Sequence, residues 1–304
     1  MAVEFVATII AASGHKLSST LLDKLAARSE RAGVKDVRVA WLAADMAADV
    51  LGLAGDLPAW RAALKEALGG ASVDVIVQPA AGRRKKLLIA DMESTTIEQE
   101  LLDELADMIG AREKVAAITR RAMNGEIDFA AALKERVALF AGRPVSFLDE
   151  AARRITFMPG AAALAATMKA HGAAAWLVTG GFGVFAKPVA ARLGFDRCFA
   201  NEILIAGGKL TGAVAEPILD RQDKKALLER ACKELDVSLA EAVAVGDGAN
   251  DLPMLLACGE GGGLGIAYHA KPAVRDAVAD AVTHGDLTAL LYAQGYRRDR
   301  FIDY

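Results

Sequence analysis

Residues 86–95 read Lys-Leu-Leu-Ile-Ala-Asp-Met-Glu-Ser-Thr, and how these ten positions fold decides the rest of the chain. Leu87, Leu88, Ile89 and Ala90 pass directly into Asp91, Glu93, Ser94 and Thr95, and a helical pattern begins at Ile97. A short apolar run without polar alternation fits a strand buried on both faces, as in a parallel sheet. Open α/β sheets bind ligands at the carboxyl ends of such strands, which is where the two carboxylates and two hydroxyls of this stretch would arrive. On these residues alone, a strand followed by an acidic helix N-cap fits equally well.

Downstream, residues 97 to about 142 are helical in pattern with no intervening strand: Leu101, Leu102, Leu105, Met108 and Ile109, then 115–123, then Phe129, Leu133, Val137 and Phe140. From 159 to 267 the pattern alternates. Helices are expected over 161–169, 185–193, 224–235 and 252–257, strands over 174–178 and 242–245, and a strand pair within 198–210. This alternation predicts an α/β fold, a doubly wound, Rossmann-type parallel sheet, with a helical block inserted after its first strand. The glycine-rich residues 259–265 lack the G-K-[ST] of a phosphate-binding loop and are expected to form a turn.

Upstream, an apolar strand over 3–11 is followed by helical spacing at Leu21, Leu22, Leu25 and Ala26 and by a strand over 34–43. A further apolar stretch over 46–53, interrupted by Asp49, precedes a helix face of Trp60, Ala63, Leu64 and Ala67 and a strand over 73–77. The order β-α-β-β-α-β is that of a ferredoxin-like α+β domain. In topology it resembles an ACT-type domain that binds small molecules, although a structural or dimerising module has the same pattern. Residues 80–86, Ala-Ala-Gly-Arg-Arg-Lys-Lys, are small, basic and non-periodic. They place a boundary between domains at 1–82 and 83–304, the basic run being expected to form a solvated linker.

The chain of 304 residues is 54% hydrophobic and 25% charged, enough for one large core or two domains and too apolar for disorder. Its net charge of −3 leaves no electrostatic footprint for nucleic acid or an anionic membrane. No stretch reaches the ~18 apolar residues of a membrane span, and the N-terminus lacks the basic segment of a signal peptide. The three cysteines, Cys198, Cys232 and Cys258, form no C-x-x-C pair, which fits a reducing, cytoplasmic setting. His15, His171, His269 and His284 show no metal-ligand spacing.

Three expected strands end in reactive groups: Ile89-Ala-Asp91-Met-Glu93, Leu177-Val-Thr179-Gly-Gly-Phe, and Val245-Gly-Asp247-Gly-Ala-Asn250-Asp251. All should converge at one sheet edge. Asp91 and Asp247 offer the oxygen ligands that Mg²⁺ prefers, and Lys224 and the Thr179 hydroxyl could offset the charge of a docked phosphoryl group. A carboxylate held against phosphorus can attack it, and a second one can protonate the leaving oxygen and then activate water. Asp91 and Glu93 have this spacing if the chain stays extended, because residues i and i+2 then share a side.

Taken together, the chain resembles the haloacid dehalogenase (HAD) superfamily and, within it, the phosphoserine phosphatases. The motif D-x-D-x-[T/V] appears as Asp91-Met-Glu-Ser-Thr95, [S/T]-G-G as Thr179-Gly180-Gly181, D-x-Q-x-K as Asp220-Arg-Gln-Asp-Lys224, and G-D-G-x-N-D as 246–251. The resemblance covers about 85–285. It implies a HAD-like core over 83–96 and 155–304 with a helical cap over about 97–154. Asp91 would be the phosphorylated nucleophile, Glu93 the acid and base, and Thr179, Gly180 and Lys224 the phosphoryl ligands. Mg²⁺ would bind Asp91, the Glu93 carbonyl and Asp247, with Asp251 orienting metal waters or Lys224. In the cap, Glu100 would take the substrate amine and Arg136 its carboxylate, with Met123 and Phe129 as an apolar lid and Asn250 near the substrate. A guanidinium fork also suits a carboxylate on physical grounds.

The family usually has Asp where this chain has Glu93, which shifts the carboxyl by about one C–C bond, enough to change a rate ~10²-fold. Expected is a Mg²⁺-dependent enzyme hydrolysing O-phospho-L-serine, the last step of serine biosynthesis in the family. Two alternatives stay open: a phosphatase or phosphotransferase for another small phosphomonoester, and a catalytically weak amino-acid-binding sensor. The N-terminal domain is expected to support a homodimer and to bind serine.

Overall fold

A computed structural model describes residues 3–302, apart from the side chain of Met123. The first strands are β1 (Glu4–Ala11), β2 (Lys35–Ala43), β3 (Ala47–Leu53) and β4 (Val73–Pro79), with α1 (Ser19–Arg31) after β1 and α2 (Leu57–Leu68) after β3. They form an antiparallel sheet in the order β2-β3-β1-β4, the split arrangement that the sequence pattern predicts. Ser18 and Asp56 cap the two helices by accepting the Leu21 and Ala59 amides. The apolar stripes of both helices, among them Leu22, Leu25, Trp60 and Leu64, pack on Ala7, Ile9, Ala48 and Val50.

The opposite face of this sheet carries polar side chains, and Asp49 is the reason β3 does not read as a clean strand. It accepts the Thr8 hydroxyl at 2.8 Å and pairs with Arg83 at 2.7 Å. The basic stretch 80–86 is therefore not the solvated linker expected from its composition. Arg83 is engaged by Asp49, Arg84 lies 4.0 Å over the Tyr296 ring, and buried Lys85 donates to the Ala240 carbonyl at 2.8 Å. A buried seam must satisfy its polar groups, and these cations do so.

The remaining chain builds a six-stranded parallel sheet, β12-β11-β10-β5-β6-β7. In chain order these are β5 (Leu87–Ala90), β6 (Ala174–Phe182), β7 (Arg197–Asn201), β10 (Ala242–Gly246), β11 (Leu264–Tyr268) and β12 (Asp280–Val282). All four residues of β5 are buried, since the strand lies mid-sheet with partners on both sides and layers on both faces. Four helices, α3 (Leu101–Asp107), α4 (Arg112–Met123), α5 (Phe129–Ala138) and α6 (Ser146–Ala152), are inserted after β5, ahead of the helix that leads into β6. The helices α7 (Ala161–Ala170), α8 (Gly183–Leu193), α9 (Arg221–Leu235), α10 (Leu252–Glu260), α11 (Pro272–Arg275) and α12 (Ala289–Ala293) follow.

A hairpin of β8 (Ile203–Ala206) and β9 (Lys209–Val214) leaves the core sheet and grips the inserted helices. Gly142 and Leu210 donate to the Leu210 and Arg143 carbonyls, each at 2.8 Å. The glycine-rich 259–265 is only partly a turn: β11 starts at Leu264, and Gly265 lets it press on the Leu255 backbone, where a side chain would collide. Among the described residues no helix is long and apolar enough to cross a membrane.

Candidate active site

The strands β10, β5 and β6 are neighbours, and their register aligns Ala90 with Val245 and Leu177. The residues that follow, Asp91, Thr179 and Asp247, therefore emerge together at one sheet edge, as their strand-end positions predict. Asp91 is held there by its own amide, which donates to the Val245 carbonyl at 3.0 Å.

Beyond Asp91 the chain does not stay extended. The amides of Thr95, Thr96 and Ile97 all turn back to the Met92 carbonyl, and Ser94 adopts a left-handed φ of 53°. The turn is needed because the chain must leave the sheet for the inserted helices. The carboxylates of Asp91 and Glu93 then take different partners. Glu93 accepts the Leu101 amide, at the start of α3, at 2.8 Å. Its other oxygen lies over Gly181, where a Cβ would come within 2.7 Å of it. Burial, and then Glu100, push the Glu93 carboxyl up to about 8, against the Leu101 amide.

Asp91 points instead to buried Lys224, 2.8 Å away, and Lys224 also meets Asp251 at 2.6 Å. Helix α9 delivers this lysine from a start closed by Asp220 and Asp223 in a reciprocal capping box. Asp251 accepts the Gly248 amide at 3.0 Å, and Thr95 donates to Asp247 at 3.3 Å. One oxygen each from Asp91, Asp247 and Asp251 lie within 4.8 Å of one another. Burial and then Asp251 raise Asp91 well above the usual carboxylate range and push Asp247 up to about 7. Burial disfavours the charge on Lys224, but Asp251 and Asp91 outweigh it and hold the amine above its ordinary value. The carboxylate of Glu93 is not in this cluster.

From the inserted helices, Phe129 opens α5 behind the Asp128 cap, and its ring stands over Gly180, 3.4 Å from where a Cβ would be. Arg136 is half-buried on the same helix. Its Nε donates to the Ala132 carbonyl at 3.2 Å, and it forms no ion pair among the described residues. Burial lowers its pKa, while Glu93, Asp103 and Glu100 support its charge. Glu100 accepts the Ser94 hydroxyl at 2.6 Å, and Asn250 sits half-buried in the turn after Asp247 with its side-chain oxygen over Gly248. The Met123 side chain lies outside the described residues.

Buried Thr179 accepts the Gly181 amide at 2.9 Å. The Gly180 carbonyl in turn accepts from Asn201, a residue that no motif marks, since a lone asparagine at a strand end reads as a turn residue.

A parallel sheet whose central strand ends in an aspartate paired with a buried lysine, with two more aspartates at hand, defines the hydrolase core of the haloacid dehalogenase type. The haloacid dehalogenase-like hydrolase family matches residues 88–256. The phosphoserine phosphatase SerB2 of Mycobacterium tuberculosis is 41% identical over 228 residues, 74% of this chain and 55% of that protein. The phosphoserine phosphatase of Streptomyces coelicolor is 36% identical over 299 residues, 97% of this chain and 72% of that protein. A HAD family hydrolase of Salmonella enterica serovar Typhi superposes with a TM-score of 0.82 at 29% identity, over 95% of this chain and 98% of its own. The chain belongs to the phosphoserine phosphatase family of haloacid dehalogenase-like hydrolases.

Proposed function

We propose that this chain is a Mg²⁺-dependent phosphatase that converts O-phospho-L-serine and water to L-serine and phosphate through a phosphorylated Asp91, the last step of serine biosynthesis. The observation that carries it is the cluster of Asp91, Asp247 and Asp251, the first and last paired with buried Lys224, with Arg136 close to Glu93 and in no ion pair among the described residues.

In the first step a carboxylate oxygen of Asp91 attacks phosphorus and the bond to the serine oxygen breaks. Glu93, kept protonated near neutral pH by its burial, gives its proton to that oxygen. In the second step Glu93 takes a proton from water, whose oxygen attacks phosphorus and releases phosphate from Asp91. Lys224, the Thr179 hydroxyl and the Gly180 backbone hold the phosphoryl group. Arg136 takes the serine carboxylate, Glu100 its ammonium, and Phe129 covers the site near Asn250.

The residues present fit a divalent cation, because three clustered carboxylates exceed the single charge of Lys224. Asp91, the Glu93 carbonyl and Asp247 would hold it, with Asp251 behind them. When bound, the cation supplies Lewis-acid stabilisation of the phosphoryl charge.

Phosphate release from phosphoserine and a panel of other small phosphomonoesters, with and without Mg²⁺, tests this in wild type and Asp91→Asn. Preference for another monoester, or interception of the intermediate by an added alcohol, would redirect the substrate assignment. Turnover that does not depend on Asp91 would end the mechanism, and no turnover at all would favour an amino-acid sensor.

We read residues 1–82 as an ACT-like domain and 97–154 as the cap, in a protein of a reducing, cytoplasmic setting. The strand order β2-β3-β1-β4 supports the first of these. Serine binding and a homodimer at this domain are tested by equilibrium dialysis with serine and by sedimentation with and without it.

A further inference from the structure

Asn201, at the end of β7, is 2% exposed and lies outside the recognised motifs. Its side-chain amide reaches two segments of the site at once. The Nδ2 group donates to the Gly180 carbonyl at 2.9 Å and to the Leu219 carbonyl at 3.4 Å, and Oδ1 accepts the Leu219 amide at 2.7 Å. Both donors and the acceptor are thus used.

The Gly180 carbonyl and the Gly181 amide belong to one planar peptide and point in opposite directions. Fixing the carbonyl on Asn201 therefore aims the Gly181 N–H, which donates to the Thr179 hydroxyl oxygen at 2.9 Å. A hydroxyl oxygen that accepts there directs its own proton elsewhere. The chain Asn201 to peptide to Thr179 is polarised in one sense, so each bond strengthens the next. Leu219 directly precedes Asp220, the cap of α9, which carries Lys224. One side chain thus sets the spacing between the two segments that bear Thr179 and Lys224.

We propose that Asn201 is a positioning residue for the phosphoryl group, orienting the Thr179 hydroxyl through the Gly180–Gly181 peptide and the start of the Lys224 helix through Leu219. The inference rests on Thr179 and Lys224 being the phosphoryl ligands, as proposed above.

The test uses the full chain with Mg²⁺, comparing wild type, Asn201→Asp and Asn201→Leu from pH 5.5 to 8, below the melting temperature of each. A carboxylate at 201 keeps the acceptor for Leu219 but loses the donor to Gly180, and regains one when protonated. Expected for Asn201→Asp at pH 8 is a kcat/KM about 10- to 100-fold below wild type, with weaker inhibition by inorganic phosphate. Relative to wild type at each pH, this deficit shrinks as pH falls, whereas that of Asn201→Leu does not. Wild-type behaviour of Asn201→Asp at pH 8, or a deficit unchanged by pH, would overturn the proposal. If Asn201→Leu does not fold, the pH course of Asn201→Asp decides alone. Should wild type fail to hydrolyse phosphoserine, the substrate assignment falls, and calorimetric titration with inorganic phosphate still decides the role of Asn201.

Discussion

Asp74, between the two sheets, and Asp91, at the end of β5, are equally buried carboxylates at 3% and 4% exposure, in opposite surroundings. Asp74 accepts the amides of Thr283, His284 and Gly285 and the Thr283 hydroxyl, the shortest at 2.7 Å. Along the same seam Asp280 meets Arg61 and the Val77 amide, and Asp49 meets Arg83 and Thr8. Asp91, Asp247 and Asp251 have one ammonium among them. A buried charge is tolerated when donors and counter-charge meet it and is otherwise driven toward neutrality. Each seam acid meets donors or an arginine, although burial still raises Asp49 and Asp280 above the usual carboxylate range. Among the described residues the site is short of positive charge, which is the basis for the cation proposed above.

This contrast is broken most directly by substituting one acid from each set. Asp91→Asn is expected to lower kcat by roughly 10⁴-fold or more, since it removes the proposed attacking group, while the melting temperature holds or rises because a repelling charge is gone. If calorimetry instead showed a large loss of stability, Asp91 would belong with the seam. Asp74→Ala is expected to do the reverse. It leaves four donors unmet, costing on the order of 3–5 kcal/mol and lowering the melting temperature by roughly 5–10 °C, with kcat of the folded fraction unchanged.

Three further measurements sharpen the description of the site. Glu93→Asp should lower kcat by up to ~10²-fold, because the shortened carboxyl leaves both the Leu101 amide and its place over Gly181. A variant faster than wild type would mean that Glu93 is a handicap rather than a fitted acid. Arg136→Lys should raise KM for phosphoserine by about tenfold, a lysine lacking the bidentate fork, and leave monoesters without a carboxylate unaffected. An equal effect on both substrates would remove Arg136 from carboxylate binding.

The smallest expected effect is the pH dependence of Mg²⁺ affinity. Asp247, pushed up to about 7 by burial and Asp251, must lose its proton to bind a cation. Affinity should therefore be constant well above pH 7 and fall by up to about tenfold per pH unit below it. Calorimetric titrations at pH 6 and 8 that gave equal affinities would show that Asp247 is not a ligand.

Much of this was legible in the chain. The apolar run of β5, the three polar strand ends and the distant Lys224 each carry a local signal, and a parallel sheet has one edge at which to collect them. Other features had no such signal. A basic run looks alike whether it is solvated or, as Arg83 and Lys85 are, buried against another sheet. The i, i+2 spacing of Asp91 and Glu93 has opposite meanings in a strand and in a turn, and the turn exists because helices must leave the sheet there.

The sequence by itself determined the sheet, the inserted helices, the antiparallel unit before them and the acids and lysine of the site, because periodicity and strand-end chemistry are local properties. Only the tertiary structure decided which buried acids are satisfied and which are short of charge. It also decided that Glu93 turns toward α3, and that Asn201 links the segments bearing Thr179 and Lys224. Those outcomes depend on partners up to some two hundred residues apart, such as Asp74 and Gly285, whose contact is set by how the sheets pack and not by any spacing along the chain.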